Sequence, residues 1–301
     1  MRPDRRKSKK EMFCYDRTVS TGKMRDDIQL RGLAVGTLKN YTRNIKSFLS
    51  FCKRPIEELD ENDVRDFLKH LIFEKKLAPR TVNQHGSAIR FFFAVGLNRY
   101  INYNQIPMMR IPKDLPELMT KEEINMLLGA CEYNIKHRAM LLLAYGSGLR
   151  SSEIASLRVK DIDSNYMRVF IKGGKSNRDH YTVLSKTTLD ALRRYWAAYR
   201  PNSPEGWMFP RPENVSLHIT RAGIAFAFNT ALEKTDIKKE VSVHSLRHAF
   251  ATHMLEDGVD LMKIKEMLGH FCLSSTMVYL HLVNATKGIT SPADTMGMTN
   301  D

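Results

Sequence analysis

The chain has 301 residues, a net charge of +14 and a pI near 9.6, a balance that predicts a polyanionic partner. It holds no apolar run long enough to span a membrane, and its N-terminus lacks the apolar core of a signal peptide, so neither a membrane nor export is predicted. The four cysteines form no CxxC pair, which predicts reduced thiols in a cytoplasmic protein rather than a disulfide framework or a zinc site.

The excess of positive charge lies in the first third of the chain. Residues 1–110 hold 23 Lys and Arg against 12 Asp and Glu, whereas the remaining residues hold 24 against 21. A basic N-terminal part predicts a clamp for nucleic acid, although a solubilising basic surface would have the same composition. Residues 1–20 are basic and poor in apolar side chains, so a flexible tail is predicted there.

Four helices are predicted in the part of the chain that follows this tail. The first covers about residues 22–33, and Thr37 is predicted to cap the second. Asp60 or Asn62 would begin the third, and Pro79 would open the fourth in its first turn, where a missing amide hydrogen costs nothing. Apolar residues recur along these segments at three- and four-residue steps, which predicts an all-α domain.

Three prolines within residues 107–119 predict an extended linker. The linker would separate a helical domain at residues 21–106 from a second domain at residues 120–301. Thr120 and Glu123 have the spacing of a capping box, so the first helix of the second domain is predicted to begin there.

The second domain is predicted to combine helices with one hairpin. An apolar helix ends in the turn Gly146-Ser147-Gly148, and another helix is predicted over residues 152–163. Two short alternating runs, Met167–Ile171 and Asp179–Leu184, enclose a glycine-containing turn and predict a β-hairpin.

Two more helices and a loop are predicted after this hairpin. The first helix is amphipathic and covers residues 186–200, and four prolines predict a loop over residues 201–216. The second helix runs from Thr220 to Leu232, and its Arg221 is a candidate contact for a polyanion.

The segment Val243–Leu282 carries most of the chemically active side chains. Its apolar spacing predicts three helices, of which the first stops at Gly258 and the second at Gly269, where a left-handed cap fits. Ser274 or Ser275 would cap the third helix.

Four polar residues of this segment are placed at helix starts, ends and faces. His244 and Arg247 are three residues apart and share a helix face, His270 follows a helix end, and Tyr279 comes nine residues later. Taken singly, each is more commonly a packing or hydrogen-bonded residue. His244 and His248 also have the spacing of metal ligands, but no HExxH pattern surrounds them, so no metal site is predicted.

The segments HSLRHAFATHML and LGHFCLSSTMVYLHL resemble the catalytic motif of the tyrosine recombinase, or phage integrase, family. That motif is His-x-x-Arg, then His or Trp, then a nucleophilic Tyr nine residues on. GSGLRSSEIASLRVKDID resembles the first arginine motif of the family. Leu38, Tyr41 and the segment Pro79–Asn83 resemble its core-binding domain more diffusely.

The resemblance implies a role for each site residue. Arg150 and Arg247 would bind the phosphate, with Glu153 in support, and Tyr279 would attack it. His244 would take the tyrosine proton, and His270 would contact the phosphate. Lys175, on the hairpin, would protonate the leaving oxygen. Lys172 competes for the lysine role, and His180 stands where relatives commonly have arginine.

The resemblance also implies the fold and the partners. The fold is mainly α with a small β-sheet or hairpin, made of an all-α, SAM-like core-binding domain and an α+β catalytic domain. Family members act without a cofactor on double-stranded DNA recombination sites. They act as homotetramers, and some use accessory DNA-bending proteins. A nucleoid-associated protein is therefore expected, whose residues 283–301 would be exchanged between neighbouring copies.

Several alternatives stay open. A transposase and a chromosome-dimer resolvase of the Xer kind share the implied chemistry, and the hairpin also resembles that of integron integrases. A non-catalytic DNA-binding regulator would have lost the tyrosine or an arginine, and neither is lost. A metal-dependent phosphohydrolase would need clustered ligands, which the sequence does not display.

Overall fold

The computed structural model describes five stretches of the chain, residues 22–32, 35–101, 106–111, 117–173 and 179–281. The predicted tail at residues 1–20, Lys175 and the predicted exchange segment at residues 283–301 lie outside the described residues. Backbone contacts divide the chain into two units, one ending at Lys113 and one beginning at Asp114. The limits given above for the two domains and their linker stay predictions.

The described residues of the first unit form one short 3₁₀ helix, at Ile56–Glu58, and four α-helices, as predicted. They are α1 over residues 22–30, α2 Val35–Cys52, α3 Glu61–Lys69 and α4 Pro79–Phe91, and the last two continue into the wider π-helical turns His70–Glu74 and Phe92–Gly96.

Two helix starts in the first unit are confirmed and one is wrong. The Asp60 carboxylate accepts two backbone hydrogens in the first turn of α3, and Asp63 accepts the Asp60 amide hydrogen at 3.0 Å. Pro79 is the first residue of α4. The Thr37 cap is wrong, because α2 already begins at Val35 and Thr37 is the third residue of the helix.

Aromatic rings fill the core of the first unit. Phe48 packs against Phe67 and Phe93 with centroid separations of 5.4 and 6.3 Å, and all three side chains are buried. Asn83 on α4 exchanges two hydrogen bonds of 2.8 Å with the backbone of Met109, so the chain is still fastened to this unit at that point.

The described residues of the second unit combine packed helices with two small antiparallel sheets. In chain order its elements are α5 Lys121–Gly129, α6 Ile135–Gly146, α7 Ser151–Ala155, β1 Ile162–Asp163, β2 Arg168–Ile171, β3 His180–Val183, α8 Lys186–Tyr199, β4 Pro210–Arg211, β5 Asn214–His218, α9 Arg221–Leu232, α10 Val243–Glu256, α11 Leu261–Met267 and α12 Ser274–Met277, followed by a 3₁₀ turn at Val278–His281. This mainly helical architecture with small sheets confirms the predicted fold class. None of the described helices has both the length and the apolar character of a membrane span.

Helix α6 lies at the centre of the second unit. Every residue from Ala139 to Ala144 is buried, because α8, α9 and α10 all pack against this helix. The predicted capping box before α5 is confirmed: the Thr120 amide donates to Glu123 at 2.8 Å, and the Glu123 amide donates to the Thr120 hydroxyl at 3.2 Å.

The predicted hairpin is confirmed as β2 and β3, which pair antiparallel with Val169 opposite Thr182. Strand β1 extends this sheet on the other side of β2, with Ile162 opposite Val169. The sequence did not indicate β1, because two residues are too few to show an alternating pattern. The hairpin turn at residues 174–178 lies outside the described residues.

Two further segments differ from the sequence-based expectation. The predicted loop at residues 201–216 contains β4 and most of β5, which pair as a ribbon. Strand β4 has only two residues and β5 is largely exposed, so neither shows a buried alternating face. Pro210 is compatible with β4 because only one edge of that strand is paired. The predicted helix at residues 152–163 is present but too long in the prediction, because α7 ends at Ala155 and the Asp161 carboxylate accepts the Arg158 amide to form a new turn.

The three helices near the C-terminal end of the second unit are present. Gly258 and Gly269 follow α10 and α11 with φ of +83° and +59°, as left-handed caps require. The predicted serine cap of the third helix is wrong: Leu273 occupies the cap position, and the Ser274 hydroxyl donates to Cys272 Sγ at 3.0 Å.

Candidate active site

Arg150 and Glu153 are brought together by the tight turn that follows α6. Gly148 has φ +66°, and a Cβ there would lie 2.5 Å from the ring of Phe250, so only glycine fits. Arg150 then caps the short helix α7. Its amide donates to Glu153 Oε2 at 2.8 Å and its guanidinium donates to Glu153 Oε1 at 2.6 Å. The Glu153 carboxylate is therefore fixed by the residue it supports.

Arg247, in the first turns of α10, is buried with only 1% of its surface exposed. Its Nη1 donates to the Gly148 carbonyl at 2.8 Å and to Glu153 Oε2 at 3.3 Å. Its Nη2 donates to the Leu268 carbonyl at 2.5 Å and lies 3.2 Å from His270 Nε2. The two arginines therefore share one buried carboxylate, and Arg247 joins the α6–α7 turn to the end of α11.

His270 is oriented by hydrogen bonds at both ring nitrogens. Because a guanidinium only donates, Nε2 accepts from Arg247, and Nδ1 is then the protonated nitrogen that donates to the Thr276 hydroxyl at 2.9 Å. Burial, and next the charges of Arg247 and Arg150, lower the pKa of His270 to about 3. This ring is neutral at physiological pH, as the tautomer requires.

Tyr279 lies in the 3₁₀ turn and is only 2% exposed. Its ring stacks on His270 with an interplanar angle of 15° and a centroid separation of 6.3 Å. Its hydroxyl lies 3.3 Å from Nδ1 of His248. Burial raises the pKa of Tyr279 and the nearby guanidiniums of Arg247 and Arg150 lower it, with a net upward shift, so the resting side chain is a neutral phenol.

His248 was considered in the sequence only as a metal partner of His244. In the structure its ring contacts His244 at a centroid separation of 4.5 Å and Tyr279 at 5.5 Å. Burial, followed by the charges of His244 and Arg247, lowers the pKa of His248 to about 4. The signal that could have found it is its position beside Arg247 and four residues after His244, on the same helix face.

The structure thus brings five of the seven predicted site residues into one connected cluster, in which Arg150, Glu153, Arg247, His270 and Tyr279 follow one another through direct contacts. His244 is exposed and joins the cluster through its ring contact with His248. Lys172 is exposed just after β2, and Lys175 lies outside the described residues. The choice between these two lysines stays a prediction.

The six groups joined at the centre of the cluster carry a net charge of one positive unit. Arg150 and Arg247 each carry one positive charge and Glu153 one negative charge, while His248, His270 and Tyr279 are neutral. Burial, and next the charge of Arg150, lower the pKa of Arg247 to about 10, so it remains charged at neutral pH. A monoanion would balance this site, whereas a divalent cation would be repelled.

Gly269 gives a first test of how the site is held. Alanine there would adopt an unfavourable left-handed conformation, and its Cβ would overlap the ring of His180. We expect Gly269→Ala to lower the free energy of unfolding by more than about 2 kcal/mol and to displace the Leu268 carbonyl and His270.

Gly258→Ala is the matched control, because it has φ +83° but nothing within 4 Å of the added Cβ. Gly258→Ala should lower the free energy of unfolding by only about 1–2 kcal/mol. Urea unfolding of both variants measures the difference, and equal losses would show that contact with His180 is unimportant.

Comparison with known proteins assigns the chain to a family. A sequence model of the phage integrase family matches residues 117–285, and one of the phage integrase N-terminal SAM-like domain matches residues 22–103. The chain therefore belongs to the phage integrase family of tyrosine recombinases. It is an enzyme of site-specific DNA recombination, as the resemblance predicted.

Individual relatives agree with this assignment. The chain is 36% identical over 272 residues to y4qK of Sinorhizobium fredii, named as a candidate integrase or recombinase, a match that covers 90% of this chain and 87% of the relative. It is 32% identical to the tyrosine recombinase XerA of Pyrococcus horikoshii, over 84% of this chain and 85% of XerA.

A solved structure shows the same fold. The XerH site-specific recombinase bound to its difH substrate aligns with a TM-score of 0.66 and 20% identity, over 83% of this chain and 76% of XerH.

Proposed function

We propose that this recombinase cleaves and rejoins DNA strands through a 3′-phosphotyrosine intermediate formed on Tyr279, without a metal ion or ATP. One observation carries the proposal: two guanidiniums share the buried Glu153 carboxylate beside the Tyr279 ring and its histidine neighbours. A phosphodiester is the monoanion that balances the single positive charge of this cluster.

Arg247 retains one donor for such an anion. Its two terminal nitrogens already bind protein atoms, but its Nε is buried and has no hydrogen-bond partner within the described part of the chain. A buried donor of this kind is satisfied when a phosphate oxygen enters the site. Arg150, which is only partly buried, supplies the second guanidinium.

These groups would stabilise the transition state more than the bound phosphate. Negative charge builds up on the non-bridging oxygens as phosphorus becomes five-coordinate, and two fixed guanidiniums meet that charge without rearranging. Glu153 keeps both arginines in place. His270 would donate to the same oxygens in its other tautomer, in which Nε2 carries the hydrogen and Nδ1 accepts from the Thr276 hydroxyl.

The proposed cleavage is a balanced transfer of the phosphoryl group. Tyr279 Oη forms a bond to phosphorus, the bond from phosphorus to the 5′ oxygen breaks, and that oxygen takes a proton from the hairpin lysine, which the resemblance places at Lys175 or Lys172. The family assigns the tyrosine proton to His244. The phosphotyrosine bond conserves the energy of the broken bond, so a second 5′ hydroxyl reseals the strand without ATP.

The partner in this proposal is double-stranded DNA carrying recombination sites. XerH is described as bound to its difH substrate, and a Tn1549 transposon integrase of the same fold as bound to circular-intermediate DNA. The first unit of this chain offers a basic face for a DNA backbone. Arg25, Lys39, Arg43 and Lys46 line one hollow between α1 and α2.

Assembly also follows the family in this proposal. Four copies would act on two DNA sites of the nucleoid, with residues 283–301 exchanged between neighbouring copies. Accessory DNA-bending proteins would assist at some sites. A non-catalytic DNA-binding regulator is the second candidate. The intact cluster of Tyr279, Arg150 and Arg247 disfavours it, since a regulator has no use for a buried nucleophile.

The experiment begins by selecting duplexes that the full chain binds from a random DNA pool. Nicked forms of a selected duplex are incubated with the protein in EDTA, and complexes that resist SDS are counted. We expect a covalent adduct and free 5′ hydroxyl ends, which polynucleotide kinase labels directly. Cleavage that needs a divalent metal and leaves 5′ phosphates would contradict the proposal.

A further inference from the structure

The hydroxyl of the proposed nucleophile has a specific partner in the structure. Tyr279 Oη lies 3.3 Å from Nδ1 of His248, a residue outside the motif that names the family's catalytic groups. Because His248 is neutral, Nδ1 can accept while the phenol donates. Its Nε2 then carries the ring hydrogen.

The surroundings of His248 connect this buried hydroxyl to solvent. His248 is half-buried, and its ring meets the exposed ring of His244 one helical turn earlier, with centroids 4.5 Å apart. Two histidines in contact thus extend from Tyr279 to the surface of α10. After burial, the described groups that lower the pKa of His248 are His244 and Arg247.

We propose that His248 is the group that takes the proton of the Tyr279 hydroxyl during strand cleavage, and that His244 connects it to solvent. This inference rests on the proposed function, and it changes the route of one proton. As Oη bonds to phosphorus, its proton passes to Nδ1 of His248. In the rejoining step, a 5′ oxygen displaces the tyrosine and the same proton returns to Oη.

The pKa of His248 must rise when DNA is bound, and the negative charge of the bound phosphodiester raises it. Its low pKa in the free protein is caused first by burial and then by the neighbouring side chains of His244 and Arg247. A phosphodiester beside Arg247 adds a negative charge, which favours the imidazolium form. In addition, the phenol becomes strongly acidic while its oxygen bonds to phosphorus, so a weak base suffices at that moment.

Two substitutions separate proton transfer from orientation. In His248→Asn, the side-chain oxygen stands near the position of Nδ1 and can accept the hydroxyl hydrogen, but it cannot take the proton. His248→Phe keeps an aromatic ring but can neither accept the hydrogen bond from the Tyr279 hydroxyl nor take its proton. We expect both variants to form the covalent adduct at least about 100-fold more slowly than wild type, which is within the usual range for loss of a general base.

The matched control lies on the same helix. His253 Nδ1 is 3.1 Å from the hydroxyl of Tyr145, and burial is the first cause of the lowered pKa of His253 and of the raised pKa of Tyr145. His253→Asn therefore removes a comparable histidine from a comparable pair whose members are not among the site residues. It should keep the wild-type adduct rate, and its unfolding temperature should match that of His248→Asn within a few degrees.

A modified substrate distinguishes proton transfer at the attacking tyrosine oxygen from proton transfer at the leaving 5′ oxygen. A duplex with sulfur in place of the 5′ bridging oxygen has a leaving group that needs no protonation. The position for the sulfur is found by first mapping the phosphodiester bond that the wild-type protein cleaves in a selected duplex. Because the role of His248 concerns the attacking oxygen, the slow rates of both His248 variants should persist on this substrate.

Each outcome decides the inference. Slow adduct formation by both variants on both substrates, with unchanged DNA binding, supports it. A near-normal rate for His248→Asn would show orientation without proton transfer, and rescue of either variant by sulfur would place His248 on the leaving-group side, so both results overturn it. Absence of any wild-type adduct would instead contradict the proposed function itself.

Discussion

Replacing Tyr279 by phenylalanine is expected to leave DNA binding within about twofold of wild type and to reduce covalent adduct formation by at least about 10⁴-fold. The variant keeps the ring that stacks on His270 and loses only the hydroxyl that meets His248. Gel-shift binding and SDS-resistant adducts on the same selected duplex measure both quantities.

Tyr145→Phe is the control for this variant. Tyr145 is a half-buried tyrosine of the same unit, and its hydroxyl also pairs with a histidine, His253. Its loss should cost about 1 kcal/mol of stability or less and leave the adduct rate unchanged. Adducts formed by Tyr279→Phe at a rate near that of wild type would show that another residue is the nucleophile.

The second large effect is expected at Arg247, where lysine should lower the rate of adduct formation by about 100- to 1,000-fold. Lysine keeps the charge but replaces a planar fork with a single ammonium group. Arg247 uses that fork to hold the Gly148 and Leu268 carbonyls and Glu153 at once, and it still keeps Nε for a phosphate. One ammonium group cannot occupy all these positions.

Arg247→Lys will also lose stability, because buried carbonyls lose their donors. Arg138→Lys is a suitable control: Arg138 donates to the Leu128 carbonyl at 2.6 Å and belongs to the same unit, away from the described site cluster. Adduct rates are compared at a temperature where urea unfolding shows all variants folded. A rate for Arg247→Lys close to that of Arg138→Lys would refute the role of the guanidinium fork.

Much of the architecture could be predicted because local signals were strong. Pro79, Asp60 and the pair of Thr120 and Glu123 each set a helix start through their own backbone chemistry, and the structure confirms all three. Gly269 marked a helix end for the same reason. The short strands β4 and β5 were missed because neither has a buried alternating face.

The motif residues were found through the family resemblance, but their interactions were not. The sharing of Glu153 by two arginines joins two stretches of chain that are far apart in the sequence, and no local pattern encodes that. The pairing of His248 with Tyr279 likewise depends on how α10 meets the 3₁₀ turn. The tautomer of His270 follows only once both of its hydrogen-bond partners are known.

The central claim is that Tyr279 becomes covalently joined to DNA, and peptide mapping of the adduct tests it most directly. Trypsin should release the peptide EMLGHFCLSSTMVYLHLVNATK, which contains no other tyrosine. After nuclease trimming, mass spectrometry should find a nucleotide remnant on this peptide, and fragmentation should place it on Tyr279. A remnant on one of the serines of this peptide, or on a peptide from elsewhere in the chain, would contradict the account.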